Sequence, residues 1–398
     1  MQLTQFRTLL ACSLLVAAAT THNAITQAAE TKDAAKKPEI TFKRTQLDDK
    51  FRSEGAAVGD FNHDGKMDIS AGSVYYAAPD WKMVPIVAEP KVVDPKGYST
   101  SFCNFAEDVN GDGRTDLIVV DFPGAPTWWF EQPEKAGQVW KRYVAVPVTN
   151  NESPDMRDLF GDKKRALLFA FEPGKQIGIA QKTADPTAPW KITPISAPNA
   201  PGTDKYSHGI GAGDINGDGR IDIMVKQGWW EAPADRNQSQ WAFHPAPFGE
   251  DCAHMYAYDF DGDGDADVLN SAAHQQGIWW HEQTKEGWKT HEIANLFSQT
   301  HSLMLADINS DGLPDFVTGK RYWAHGPGGD IDSEKPAVMF WFELTRKDGR
   351  PVWIPHQFDD NSGVGTQFTV ADVNGDGLLD VATANKKGAH YFEQVRGK

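Results

Sequence analysis

One short frame recurs six times along this chain and limits what it can fold into. Each copy sets a carboxylate or amide oxygen at its first, third, fifth and ninth positions and a glycine at its sixth. The copies are Asp60, Asn62, Asp64 and Asp68; Asp108, Asn110, Asp112 and Asp116; Asp214, Asn216, Asp218 and Asp222; Asp259, Asp261, Asp263 and Asp267; Asp307, Asn309, Asp311 and Asp315; and Asp372, Asn374, Asp376 and Asp380. Calcium is a hard cation that takes about six to eight oxygens, and such loops supply them from side chains, one carbonyl and water, with glycine for the sharp turn. Soft ligands are absent from the frame, and its carboxylates would repel one another without a cation. A metal-free Asp/Asn/Gly turn is the alternative reading of a single copy. Six intact copies favour about six bound calcium ions. A seventh copy keeps only Asp158 and Asp162; Phe160, Lys163 and Ala166 replace the amide, the glycine and the last carboxylate, so no calcium is expected there.

The frames are not EF-hands. Their twelfth position should carry glutamate but holds Ala71, Val119, Val225, Asn270, Thr318 and Thr383. The flanks, such as "IDIMV" and "TDLIVV", are short and β-branched, which predicts strands on either side. Leading aspartates, the decayed copy included, are 48, 50, 56, 45, 48 and 65 residues apart. Repeats of about 40–50 residues built from short strands point to a β-propeller. Each unit reads as a small-residue strand, the acidic loop, a second strand, an aromatic strand and an outer strand, a pattern that absorbs the 14 tryptophans. The expected fold is all-β, a seven-bladed β-propeller over residues 40–398, with calcium loops between strands one and two of six blades. The seventh unit ends at "HYFEQVRGK" with no outer strand, while "ITFKRTQLDD" stands unassigned before the first. The N-terminal strand is therefore expected to close the ring and remove an open edge.

The segments "VGDFNHDGKMDI", "AGDINGDGRIDI", "ADINSDGLPDF" and "ADVNGDGLLDV" resemble FG-GAP/VCBS repeats, the units of the integrin α-subunit propeller and of many secreted bacterial proteins. The resemblance covers roughly residues 40–398 and implies fold and calcium, not one function.

Residues 1–28 read as a signal peptide, Arg7 before the apolar run "TLLACSLLVAAA", and residues 29–39 as a linker. The run is too short to span a bilayer, no other transmembrane candidate exists, and an exported, periplasmic or extracellular, monomer is expected. "LLAC" imitates a lipoprotein box but leaves too little apolar core after Arg7. The net charge is −16, of which about six calcium ions would cancel most, and nucleic acid is excluded as a partner by this balance. Cys103 and Cys252 lie on non-adjacent units and are expected to be free thiols.

Function is expected at the channel mouth opposite the acidic loops, where first strands begin. Six residues before three leading aspartates stand Glu152, His208 and His301, and one residue later in the fifth unit stands His254. Loops of the same face add His274, Lys226, Lys386 and the longest insertion, Gly319 to Lys335, which carries Lys320 and Arg321. Solvated polar residues in a wet channel would look the same. If His208, His254, His301 and Glu152 share a centre, they suit one divalent ion of the zinc or manganese type. His274 would then move a proton while Lys320 or Arg321 stabilises an oxyanion. The propeller with a histidine-lined channel is similar to that of fungal aldos-2-ulose dehydratases, which implies elimination from a keto-sugar, a carbon–oxygen lyase reaction; the cupin and lectin domains of those enzymes are missing here. The alternative class is a non-catalytic propeller that binds a glycan or a protein through this face.

Overall fold

The computed structural model describes residues 38–397. The leader at 1–28 and the linker up to residue 37 lie outside the described residues. Those described form 28 strands and no helix, a β-propeller arrangement; none of them forms a helix long and apolar enough to cross a membrane.

Each unit is an antiparallel meander of four strands, the first short and the third aromatic except in Gln176–Gln181 of the unit with the decayed loop. In the first unit these are Ala57–Gly59, Asp68–Ala71, Val74–Ala77 and Lys82–Pro85. Five four-stranded sheets stand separately, where seven were expected. The other eight strands make one sheet, because Gly211–Gly213 pairs in parallel with Met255–Tyr258 through Gly211–Met255 and Ala212–Tyr256. The cause is side-chain size: a Cβ on Gly211 would lie 2.3 Å from the Met255 carbonyl, and one on Gly213 2.5 Å from the Ala257 Cβ. Glycine lets the two backbones meet within hydrogen-bonding range, and the Met255 N–H donates to the Ile210 carbonyl at 3.0 Å.

The N-terminal strand Ile40–Asp48 pairs antiparallel with Gly388–Arg396, from Ile40–Arg396 to Asp48–Ala389. It is thus the outer strand of the last unit's sheet. The apolar cores lie between units: Ile69, Val74 and Tyr76 of the first pack with Val373, Ala382 and Tyr391 of the last. Likewise Ile308, Val317 and Trp341 pack with Phe368, Val381 and Phe392. Thr366 of the last unit donates its N–H to the Glu54 carbonyl of the first at 2.7 Å. Cys103 and Cys252 are buried free thiols.

Candidate functional site

Two sets of polar residues stand apart, one in the acidic loops and one at the opposite edge of the sheets. In every intact frame the ninth residue opens the second strand: Asp68, Asp116, Asp222, Asp267, Asp315 and Asp380. Each is buried. One oxygen of Asp222 accepts the Ile215 N–H at 2.9 Å and the other the Ala232 N–H at 2.8 Å, and the other five repeat this pattern. The ninth carboxylate therefore ties the loop to the third strand. Positions one, three and five accept N–H groups of the turn itself, as Asp214 does from Asp218 and Gly219 and Asp218 from Arg220. Oxygens of Asp259, Asp261 and Asp263 lie within 4.8 Å of one another, an all-oxygen set that fits a hard cation. The sixth residue has a positive φ throughout, from 81° at Gly219 to 101° at Gly264, as glycine allows. The decayed loop keeps the turn: Lys163 adopts φ 64°, and Asp158 accepts the N–H groups of Asp162 and Lys163. The turn exists without the ligands.

At the other edge, Glu54, Glu152, His208 and His301 each precede a first strand, while His274 and Arg321 follow second strands. In an antiparallel meander those positions share one edge. His208 Nε2 lies 3.2 Å from His274 Nε2 and 3.3 Å from His301 Nε2, and the three nitrogens fall within 4.8 Å of one another. Glu152 Oε2 is 3.3 Å from His208 Nε2 and 3.9 Å from His301 Nε2. Arg321 bridges the carboxylates, donating to Glu54 and standing 3.7 Å from Glu152. Asp330 holds the outer ring nitrogens, His274 Nδ1 at 3.2 Å and His325 Nδ1 at 2.8 Å. An ionised carboxylate only accepts, so His274 carries its proton on Nδ1 and turns the Nε2 lone pair inward.

Burial, joined by the charge of Arg321, holds His301 well below the ordinary histidine range, and burial also lowers His274. Both are neutral at pH 7, the ligating form. Burial alone would raise Glu152; its hydrogen bond with His208 and the charge of Arg321 hold it below the usual carboxylate range. A tetrahedral ion with bonds of about 2.0–2.1 Å spaces its ligands about 3.3–3.4 Å apart. The His208 distances match that spacing, and the residues present fit a divalent transition ion.

Two expected members are elsewhere. His254 lies against Asp155 and Arg157, on the wall of a cavity of about 310 Å³ with Tyr256, Leu303 and Phe368. Its register explains this: Ala253, not His254, matches His208 and His301, and successive side chains of an extended chain point opposite ways. His274 stands in the cluster in its place. Lys320 turns into its own loop, its Nζ 3.4 Å from the Arg321 and Ser333 carbonyls, opposite in direction to Arg321. Sequence reasoning missed Glu54, His325 and Asp330. Glu54 shares the register of His208, which was a usable signal; the other two lie in the flagged insertion, whose conformation no periodicity fixes.

Family comparisons match residues 259–318 to an FG-GAP-like repeat and residues 364–393 to an FG-GAP repeat. These stretches are FG-GAP repeats. A search of curated proteins finds no match. Among solved structures, the chain is similar to an Agrocybe aegerita lectin described as recognising non-reducing terminal N-acetylglucosamine, at 14% identity, TM-score 0.45, covering 90% of this chain and 86% of that one. It is also similar to the exotype rhamnogalacturonan lyase YesX at 13% identity, TM-score 0.43, covering 89% of this chain and 72% of that one. At this similarity the likenesses carry nothing about function.

Proposed function

We propose that this chain is an exported, calcium-stabilised propeller whose mouth holds one divalent transition ion on His208, His274 and His301 and binds a carbohydrate-like ligand there. The observation that carries the reading is the convergence of three Nε2 atoms at ligand spacing beside a carboxylate. The FG-GAP loops would take calcium through positions one, three and five. The ring is read as seven units, the eight-stranded sheet counting as two, with Ile40–Asp48 closing it; the core shared by the first and last units supports this.

When bound, an ion at the mouth polarises a carbonyl or hydroxyl oxygen of the ligand. Asp330 fixes the His274 ring, and Arg321 keeps Glu152 ionised. Glu152 Oε2 is then the group placed to accept a proton from carbon beside a keto-sugar carbonyl, the first step of an elimination. This moves the proton-accepting role from His274, which the cluster occupies, to Glu152. Elemental analysis of protein purified without chelator tests the reading. One transition ion per chain is expected, lost in His208→Ala, His274→Ala and His301→Ala with calcium retained. Calcium alone in the parent would make the mouth a non-catalytic glycan- or protein-binding surface.

A further inference from the structure

Lys386, in the turn between the last two strands of the chain, is a buried lysine without a counter-ion among the described residues. It is 5% exposed, its Nζ lies 4.6 Å above the Tyr98 ring, and among the described residues no acceptor or carboxylate comes within bonding distance of it. The carboxylates whose charges reach it, Glu54, Asp330 and Glu152, are engaged elsewhere: Glu54 by Arg321, Glu152 by Arg321 and His208, Asp330 by His274 and His325. The other mouth lysines are satisfied, Lys226 by Asp251 and Lys320 by two carbonyls. The amine, on a residue that is otherwise buried, has no partner to give up and is poised for a ligand's negative group.

The surface beside it is aromatic. Tyr98, Phe122 and Tyr206 form a stripe with ring centres 5.5 and 5.7 Å apart, and the two tyrosines at its ends are 40% and 43% exposed. At the far end a second amine, Lys205 Nζ, lies 4.9 Å from the Tyr206 ring centre. The rings are turned by 48° and 67° from one to the next, their steps are comparable to one sugar unit, and with an amine beside each tyrosine they match a chain of sugar rings that carries carboxylates. The Tyr98 ring lies 6.2 Å from that of Phe102, which stands in the same register as Glu152 and His208 and places this end of the stripe at the histidine mouth. Rings offer the apolar faces of sugars a stacking surface, and the amines offer charge-assisted pairs.

We propose that the mouth is built for an acidic oligosaccharide, with Lys386 taking the carboxylate nearest the histidines, Tyr98, Phe122 and Tyr206 the ring faces, and Lys205 a carboxylate further out. The proposal rests on the reading of the mouth as a carbohydrate site. It names a ligand class by charge: uronate-bearing chains are taken in preference to neutral ones of the same backbone.

Calorimetric titration of the full chain with oligogalacturonates, oligoglucuronates and alginate oligomers, each beside its carboxyl-reduced counterpart, tests it. At least one acidic oligomer should bind, about tenfold or more tighter than its reduced form, and added salt should narrow the gap. Lys386→Met should abolish the preference while melting no lower than the parent, because it removes an amine without a partner. Tyr98→Ala should weaken acidic and reduced forms alike. Equal binding of both forms overturns the acidic preference and leaves the carbohydrate reading standing; binding of no oligomer overturns both. A Lys386→Met protein that melts well below the parent would assign the lysine to the fold and overturn its role here.

Discussion

Asp218 and Asp222 stand in one loop and do different work. Asp222 is buried and satisfies the Ile215 and Ala232 N–H groups, so Asp222→Ala strands two donors at about 1–3 kcal/mol each. Its melting temperature should fall with or without chelator, whereas Asp218→Ala, which loses its bonds to Arg220, should lower it more when calcium is present than in chelator. Asp158→Ala should leave calcium stoichiometry unchanged, which the same titration reads. Across the mouth, Glu54 and Arg321 form a buried pair. Glu54→Gln removes the closer negative charge beside the buried guanidinium and should cost up to about 3–5 kcal/mol in denaturant unfolding. Residues of this kind were legible where register governs them, as for His208, His301 and Glu152. Register also separates His254 from them, by a single residue that turns the side chain the other way. The roles of Asp330 and Lys386 were not legible, because each depends on a loop meeting a unit distant in sequence.

The acidic loop is the element most fully written in the sequence: its glycine, its flanking strands and its ninth aspartate at the head of the second strand all follow from spacing. What spacing did not say is that the ninth carboxylate is a tie between strands, since its partners in or just past the third strand lie 10 to 29 residues downstream. Burial, partly offset by the backbone N–H bonds and reinforced by neighbouring carboxylates, pushes Asp68 and Asp222 up to about 6 and Asp116, Asp267 and Asp315 up to about 7. A raised carboxyl binds its proton more tightly in the fold. Its contribution to stability is fully present below the ordinary carboxylate range and is lost as pH rises through about 6 to 7. His281 and His390, buried and lowered to about 4, act oppositely: their contribution is present above the ordinary histidine range and lost as pH falls toward 4. The window that isolates the loops is therefore about pH 6.5 to 8. In chelator the melting temperature should rise from pH 8 to pH 6.5, and excess calcium, which favours the ionised loops, should remove that rise. A chelated protein equally stable at both values would deny the ninth aspartates this role.

At the scale of the molecule, the outer strand of the last sheet comes from the other end of the chain. Its Phe42 packs on Phe358 with ring centres 4.5 Å apart, and Phe358 on Phe392 at 5.2 Å. Removal of residues 40–48 should expose the edge of Gly388–Arg396 and those rings, and size-exclusion chromatography should show aggregation. A monomer as stable as the parent would contradict closure by this strand. The unpaired N-terminal strand and the truncated last unit made this pairing legible, whereas the merging of two units into one sheet depends on glycines whose close approach no repeat count reveals. The rigid scaffold matters to the account because it brings His208, His274 and His301 from three units to one point. Anomalous diffraction from crystals grown in zinc, at energies above and below the zinc edge, tests that claim most directly. A single strong peak about 2.0–2.1 Å from all three Nε2 atoms is expected; no peak among them, with the rings left in contact, would contradict it.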